Sequence, residues 1–269
     1  MLARLSLLVA LCLTLAGISP VAAGTLKQEQ LRFPRVRAAY DSRLDVAKRL
    51  FEAKQLSWPP PPVFWRAFKQ DKSLELWALN RETGKYVLVK EYEVCRLSGT
   101  MGPKRREGDY QIPEGFYEFT EFNPASSYHL SLRINYPNSS DRILGDRKKL
   151  GGDIFVHGDC VTIGCLPMTD EQIDEIYLIT LEARGAGQAH IPIHIFPTRL
   201  AGPSWEKLLE EAGSFSLWHV AQRIRGARPR SAEELRTFWK NLKVDYDYFE
   251  ASKTLPKISV GEDGRYRFE

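Results

Sequence analysis

Cysteine and methionine are scarce in this chain, at four and three residues of 269. No C-x2-C pair occurs among them, which argues against a structural zinc module, where tight pairs usually hold the ion. Past the first two dozen residues no apolar run is long enough to cross a bilayer as a helix. The net charge is only +4, and acidic and basic residues are interspersed. A dedicated nucleic-acid binder would show a concentrated basic stripe, so that class is disfavoured. Internal repeats and low-complexity segments are missing apart from four prolines at 59–62.

The N-terminus is informative. Arg4 gives a positive start, an apolar run follows from Leu5 to Leu15, and Val21-Ala22-Ala23 fits the small-residue pattern of a cleavage site. Residues 1–23 are therefore expected to be a secretory signal peptide, too short for a stable membrane span. The expected product is exported, in the periplasm or cell envelope. Removal of that segment takes Cys12 with it and leaves Cys95, Cys160 and Cys165. An odd number in an oxidising compartment leaves one thiol free.

The rest divides by composition. Residues 24–62 read as a helix plus a proline linker, with Tyr40, Leu44, Ala47 and Phe51 on one helical face. Residues 63–197 read as strand-rich: VFWRAF, LELWAL, KYVLVKEYEV, YQIPEGFYEF, SYHLSLRINY, IFVHG and HIPIHIFP have strand composition. A glycine-rich, charged loop runs from Ser98 to Gly108. Thr169 and Gln172 form a capping box that opens a helix. Residues 198–269 read as a helical extension: Trp205 to Arg225, then Ser231 to Asn241 behind a second capping box, then a short strand at Arg265 to Phe268. The expected class is mainly β with α, an α+β fold built on an antiparallel β-domain with flanking helices.

The stretch IFVHGDCVTIGCLPMTDEQIDEIY puts His157, Cys160 and Cys165 within nine positions. His157, Cys160, Cys165 and Cys95 could together hold zinc, but the spacing is poor for it. His190 and His194 do not add to such a set, since i and i+4 in a strand lie ~13 Å apart. They read as half-exposed strand residues, as does His129, and His219 reads as packing or surface. A nucleophile with its base explains more. Gly164 allows a sharp turn, so its N–H and that of Cys165 can aim at one spot as an oxyanion hole. A histidine or helix N-terminus nearby would lower the thiol pKa. His157, at the end of an apolar strand, is placed to serve as general base.

These residues resemble a known family. HG…GC inside a β-rich exported domain is similar to the signature of the YkuD-type L,D-transpeptidases, in particular their YafK-like murein branch. The resemblance covers roughly Val63 to Pro197, including LELWAL, SGTMGPKRREGDYQIPEGFY, HLSLRINYPN and the HG…GC block, and FWKNLKVDYDYF further on. It implies a YkuD β-domain acting on peptidoglycan stem peptides, with Cys165 as nucleophile, His157 as base or proton donor and Gly164 as the oxyanion-loop glycine. No cofactor and no metal are implied. The thioester acyl-enzyme would pass to an amine, forming a cross-link or attaching a wall protein, or to water, making the enzyme a hydrolase. A catalytically silent wall-binding module is the remaining reading.

The chain departs from the wider family in three places. The His157-to-Cys165 spacing is short, Ile163 stands where many members carry a second histidine, and Pro167 stands where they carry an arginine. Lys104, Arg105 or Arg106 could replace that arginine in gripping a substrate carboxylate; the plainer reading of the three is a solvated basic loop. If Cys165 stays a thiol, Cys95 and Cys160 are the one possible intramolecular pair.

Overall fold

A computed structural model describes residues 25–146, 148–212 and 231–269. The expected signal peptide and the stretch from 213 to 225 of the expected long helix lie outside the described residues.

The helices are α1 (Leu26–Gln30), α2 (Pro34–Glu52), α3 (Ser139–Leu144), α4 (Asp170–Gly185), α5 (Gly202–Glu211) and α6 (Ala232–Ser252). The strands are β1 (Val63–Phe68), β2 (Ser73–Asn80), β3 (Lys85–Glu93), β4 (Gly115–Asn123), β5 (Ser131–Ile134), β6 (Phe155–His157), β7 (Leu166–Pro167), β8 (Pro192–Phe196), β9 (Ile258–Val260) and β10 (Tyr266–Phe268). Both capping boxes form: Thr169 accepts from the Gln172 amide and Ser231 from that of Glu234, which satisfies amides that a helix start leaves open.

Eight strands make one sheet in the order β3-β2-β1-β8-β4-β5-β6-β7, and β9 pairs with β10. The class is α+β, as expected, but the sheet is mixed. β1 runs parallel to β8 and β6 parallel to β7. Each parallel pair needs a crossover, and β7 is only two residues long, so no alternation could announce it. β4 pairs with β8 over its first half and with β5 over its second, with a register shift between Phe119 and Glu121. An irregularity of this kind bends a strand and increases its twist locally. Two expected strands are shorter than their composition suggests. β4 starts only at Gly115, because Pro113 cannot donate to a ladder. β5 starts only at Ser131, because His129 sits at φ +62.

Both faces of the sheet are covered. In β1 the side chains of Val63, Trp65 and Ala67 point into a core shared with α2 and α4. Phe68 points the other way, into a core with Leu208 of α5, Leu235, Phe238, Trp239 and Tyr246 of α6, and Tyr266 of β10. This is why VFWRAF is buried at every position rather than alternately. α4 is itself buried along most of its length, capped by α2 and α1. Tyr40 donates to Glu182 at 2.8 Å and Tyr177 to Gln30 at 2.5 Å, which satisfies the polar groups caught between those layers.

Candidate active site

β6 ends on His157, between Ser131 of β5 and Pro167 of β7. The backbone there is locked. Met168 N–H donates to His157 O at 2.7 Å, and Gly158 N–H donates to Tyr128 O at 3.1 Å. Gly158 is required by space rather than flexibility: a Cβ there would lie 2.5 Å from Asp170 Oδ1 and 2.9 Å from His129 Cβ. His157 is 3% exposed, and the Tyr128 ring lies over it at 4.9 Å, tilted by 35°. Its Nδ1 is 2.6 Å from Gly158 O. A carbonyl only accepts, so Nδ1 carries the hydrogen and the neutral ring presents a lone pair at Nε2. Burial holds the imidazole below its ordinary pKa, against the Gly158 carbonyl and Asp159.

Cys165 is a free thiol, partly buried. Gly164, at φ +143, supplies the turn before it; a Cβ there would be strained and would sit 3.2 Å from Gln111 O. The two amides do converge. Gly164 N–H and Cys165 N–H both donate to Thr162 Oγ1, at 3.1 and 2.8 Å. The same hydroxyl donates to Cys165 O at 2.8 Å. One oxygen therefore stands where two donors meet, with both lone pairs and its proton engaged. Cys165 Sγ is directed to Asp153 O at 3.8 Å. Among the described residues no hydrogen bond joins Cys165 to His157.

The thiol differs from expectation in one respect. Burial pushes its pKa up, while the Phe155 backbone and Lys104 pull it down and Asp153 adds to the rise. The helix that was to depress it begins only at Asp170, beyond β7. A helix terminus acts over about one turn, so its field is weak at Cys165. The resting pair is thus thiol and neutral imidazole.

The loop at 98–112 forms one wall and is folded rather than merely solvated. Asp109 gathers the amides of Arg105, Arg106 and Gln111. Lys104 is buried and pairs with Asp109 Oδ1 at 2.7 Å. Arg105 pairs with buried Asp141 and lies over Phe238 of α6 at 4.9 Å. Arg106 is the most accessible of the three, 3.6 Å from Asp146. A substrate carboxylate would have to compete with Asp109 for Lys104 and with Asp141 for Arg105. The loop hangs from Lys69, whose Nζ has Thr100 O, Gly102 O, Ile112 O and Glu114 Oε1 as acceptors within 3.2 Å for its three N–H groups. Glu114 also accepts from Trp239 Nε1 of α6 at 2.8 Å.

Cys95 and Cys160 are joined by a disulfide. Two of the three sulfurs in the four-ligand zinc set are thereby bonded to each other. His194, expected half-exposed, is 3% exposed and pairs with buried Asp245 at 2.9 Å, because α6 covers that face of the sheet. His190 remains exposed beside Glu118, and His129 bonds Asp174 at 2.7 Å. His219 lies outside the described residues.

No family model matches the chain. YafK of Escherichia coli K12, whose designation as an L,D-transpeptidase is provisional, is 33% identical over 207 residues, spanning 76% of this chain and 73% of YafK. The same protein from strain O157:H7 gives the same figures. The chain belongs to the L,D-transpeptidase family. Among solved structures, the helical cell shape determining protein Pgp2 of Campylobacter jejuni covers 75% of this chain and 73% of its own, at 20% identity and a TM-score of 0.41. Bd1075 of Bdellovibrio bacteriovorus covers 77% and 76%, at 18% identity and a TM-score of 0.37.

Two residues beside the site of this L,D-transpeptidase family member were not singled out from sequence. Thr162 had a signal: a threonine two residues before a glycine is a common turn former through its hydroxyl. Tyr128 had none, since stacking on His157 comes from β5–β6 pairing. Ile163 and Val161, 74% and 42% exposed, edge the loop beside Cys165.

Proposed function

We propose that this chain is an exported, cysteine-dependent acyl transferase acting on peptidoglycan stem peptides, with its catalytic unit within residues 63–197. The observation that carries the proposal is the convergence of the Gly164 and Cys165 amides on one oxygen position beside a free thiol. A carbonyl oxygen taking the place of the Thr162 hydroxyl would meet two donors as it gains charge. His157, with Nδ1 tied and Nε2 unprotonated, accepts the thiol proton as Cys165 attacks. The acyl group of the third stem residue is then held as a thioester, and its neighbour leaves with the proton returned by His157. Passage to an amine makes a cross-link or attaches a wall protein. No cofactor enters these steps.

Hydrolysis by the same site is the second reading. The observation that favours keeping it is that Pro167 stands where many members carry an arginine, so no charge at that position can bind a carboxylate or orient a substrate. Mass spectrometry of purified stem peptides incubated with the mature protein, with and without an amine, separates the readings. New amide-linked products establish transfer. A gain of one water establishes hydrolysis. Unchanged peptides with folded enzyme overturn both and leave a wall-binding module. The periplasm or cell envelope is the proposed location; an exported protein whose N-terminal sequence still began at Met1 would overturn the signal-peptide assignment.

A further inference from the structure

Seven residues, 158–164, connect His157 to Cys165. Their backbone is held in an unfavourable shape. Asp159 and Cys160 both lie in the left-handed region, at φ +66 and +38; aspartate visits it as a single residue, but a cysteine there is strained. Such a shape persists only where its surroundings over-determine it. Three ties do so. Asp159 N–H donates to Asp170 Oδ1 at 2.9 Å and Cys160 N–H to Met168 O at 3.4 Å. The third is covalent, the Cys95–Cys160 bond, with Cα atoms 5.3 Å apart. Cys95 has a second grip, because its amide donates to Pro167 O at 3.0 Å. One residue just beyond β3 therefore holds the segment after His157 by its sulfur and the segment after Cys165 by its backbone.

We propose that the Cys95–Cys160 disulfide is a positioning element of the active site, which holds the 158–164 segment so that His157 and Cys165 face one carbonyl. This rests on the acyl-transfer reading above. Its consequence is a divided requirement within one short stretch: Cys165 must be reduced while Cys160 must be oxidised. A dithiol opens the bond by attacking one sulfur, forming a mixed disulfide, then closing on itself. Two electrons and two protons pass to Cys95 and Cys160, which leave as thiols. A strong dithiol, the usual protection for an active-site thiol, should therefore inhibit this enzyme.

The test compares the native protein, the native protein in dithiothreitol, and the C95S/C160S variant. Both cysteines are replaced so that a lone Cys160 cannot pair with Cys165. Turnover of a stem peptide and amide exchange across 158–164 are read together. On loss of the bond, kcat should fall about tenfold or more with KM held within about twofold, the signature of misplaced reacting groups. Exchange at 158–164 should quicken while β1 and α4 keep their protection. Reoxidation with a glutathione redox buffer should restore both. Reduced, folded protein with native kcat overturns the proposal, whether or not the loop exchanges faster. Loss of the cooperative melt on reduction also overturns it, since the bond would then hold the whole fold. If the untreated native protein turns over no stem peptide, the acyl-transfer reading fails, and unchanged exchange at 158–164 on reduction would separately sink the staple.

Discussion

At the scale of single residues, the proposed site rests on three side chains, each of which can be tested by itself. Cys165→Ala should abolish turnover, because no other group can carry the acyl chain. His157→Ala should cost about a hundredfold or more, the size of a lost general base. The double variant should be little worse than Cys165→Ala alone, since members of one device are not additive. A folded Cys165→Ala protein that still turned over would remove the nucleophile assignment. The pKa directions give a second expectation. A raised thiol and a lowered imidazole both disfavour the thiolate–imidazolium pair. Alkylation of Cys165 by iodoacetamide should accordingly be slow at neutral pH and rise with pH, with its midpoint above the ordinary thiol range. A midpoint near pH 5 would mean that the pair is ionised at rest. Thr162 gives the third. Thr162→Val leaves two amides and a carbonyl without their partner, at about 1–3 kcal/mol for each group that stays dry. Thermal melting should register that loss, and Thr162→Ser should restore it. Cys165 and His157 stood out as candidates because glycine, cysteine and histidine at this spacing have few uses. The thiol's raised pKa was not legible, because burial is a property of the packed whole.

At the scale of elements, the strands with clear borders were readable and those set by partners were not. VFWRAF and KYVLVKEYEV sit at β1 and β3 almost to the residue, bounded by the proline run and the Arg81–Gly84 turn. The capping boxes at Thr169 and Ser231 locate α4 and α6 because a cap is a local bond. β7 was invisible, since two residues carry no period, and its existence depends on β6. The same contrast applies to α6. Its cap marked where it starts, but nothing local showed that it runs past Asn241 to Ser252, or that Trp239 reaches Glu114 and so braces the 98–112 loop. Trp239→Phe removes the donor and also shortens a buried bicyclic ring to a single one. The lost hydrogen bond and the space left by the smaller ring both lower stability, by about 2–5 kcal/mol together. Amide exchange in 98–112 should speed up while α4 stays protected. Unchanged exchange in 98–112 would show that the loop is braced elsewhere, and equal quickening in both regions that the bond supports the whole fold.

At the scale of the whole molecule, the α+β class followed from strand-like segments gathered between helical ones. The mixed sheet did not follow, because parallel pairing is decided by which helices cross over and not by composition. Nor did the second core, since Phe68, Phe116 and Phe196 look like any strand aromatics until α5, α6 and β10 cover them. That covering bears on where the chain can be cut. The strands and the proposed chemistry lie almost wholly before Pro197, which invites treating the first part as a portable cassette. A version ending at Pro197 would strip the cover from those three rings, which are 8% exposed or less in the full chain. It would also remove Trp239 from Glu114, leaving a buried carboxylate short of a donor. Such a bare aromatic face is an aggregation surface. The shortened protein should be recovered insoluble or without a cooperative melt, whereas a soluble, sharply melting fragment would show that the sheet needs only one helical layer. The smallest heritable unit here is then larger than the proposed catalytic one. A lineage could rewrite the surface of α6 freely, yet it could shed that helix only by rebuilding the back of the sheet at the same time.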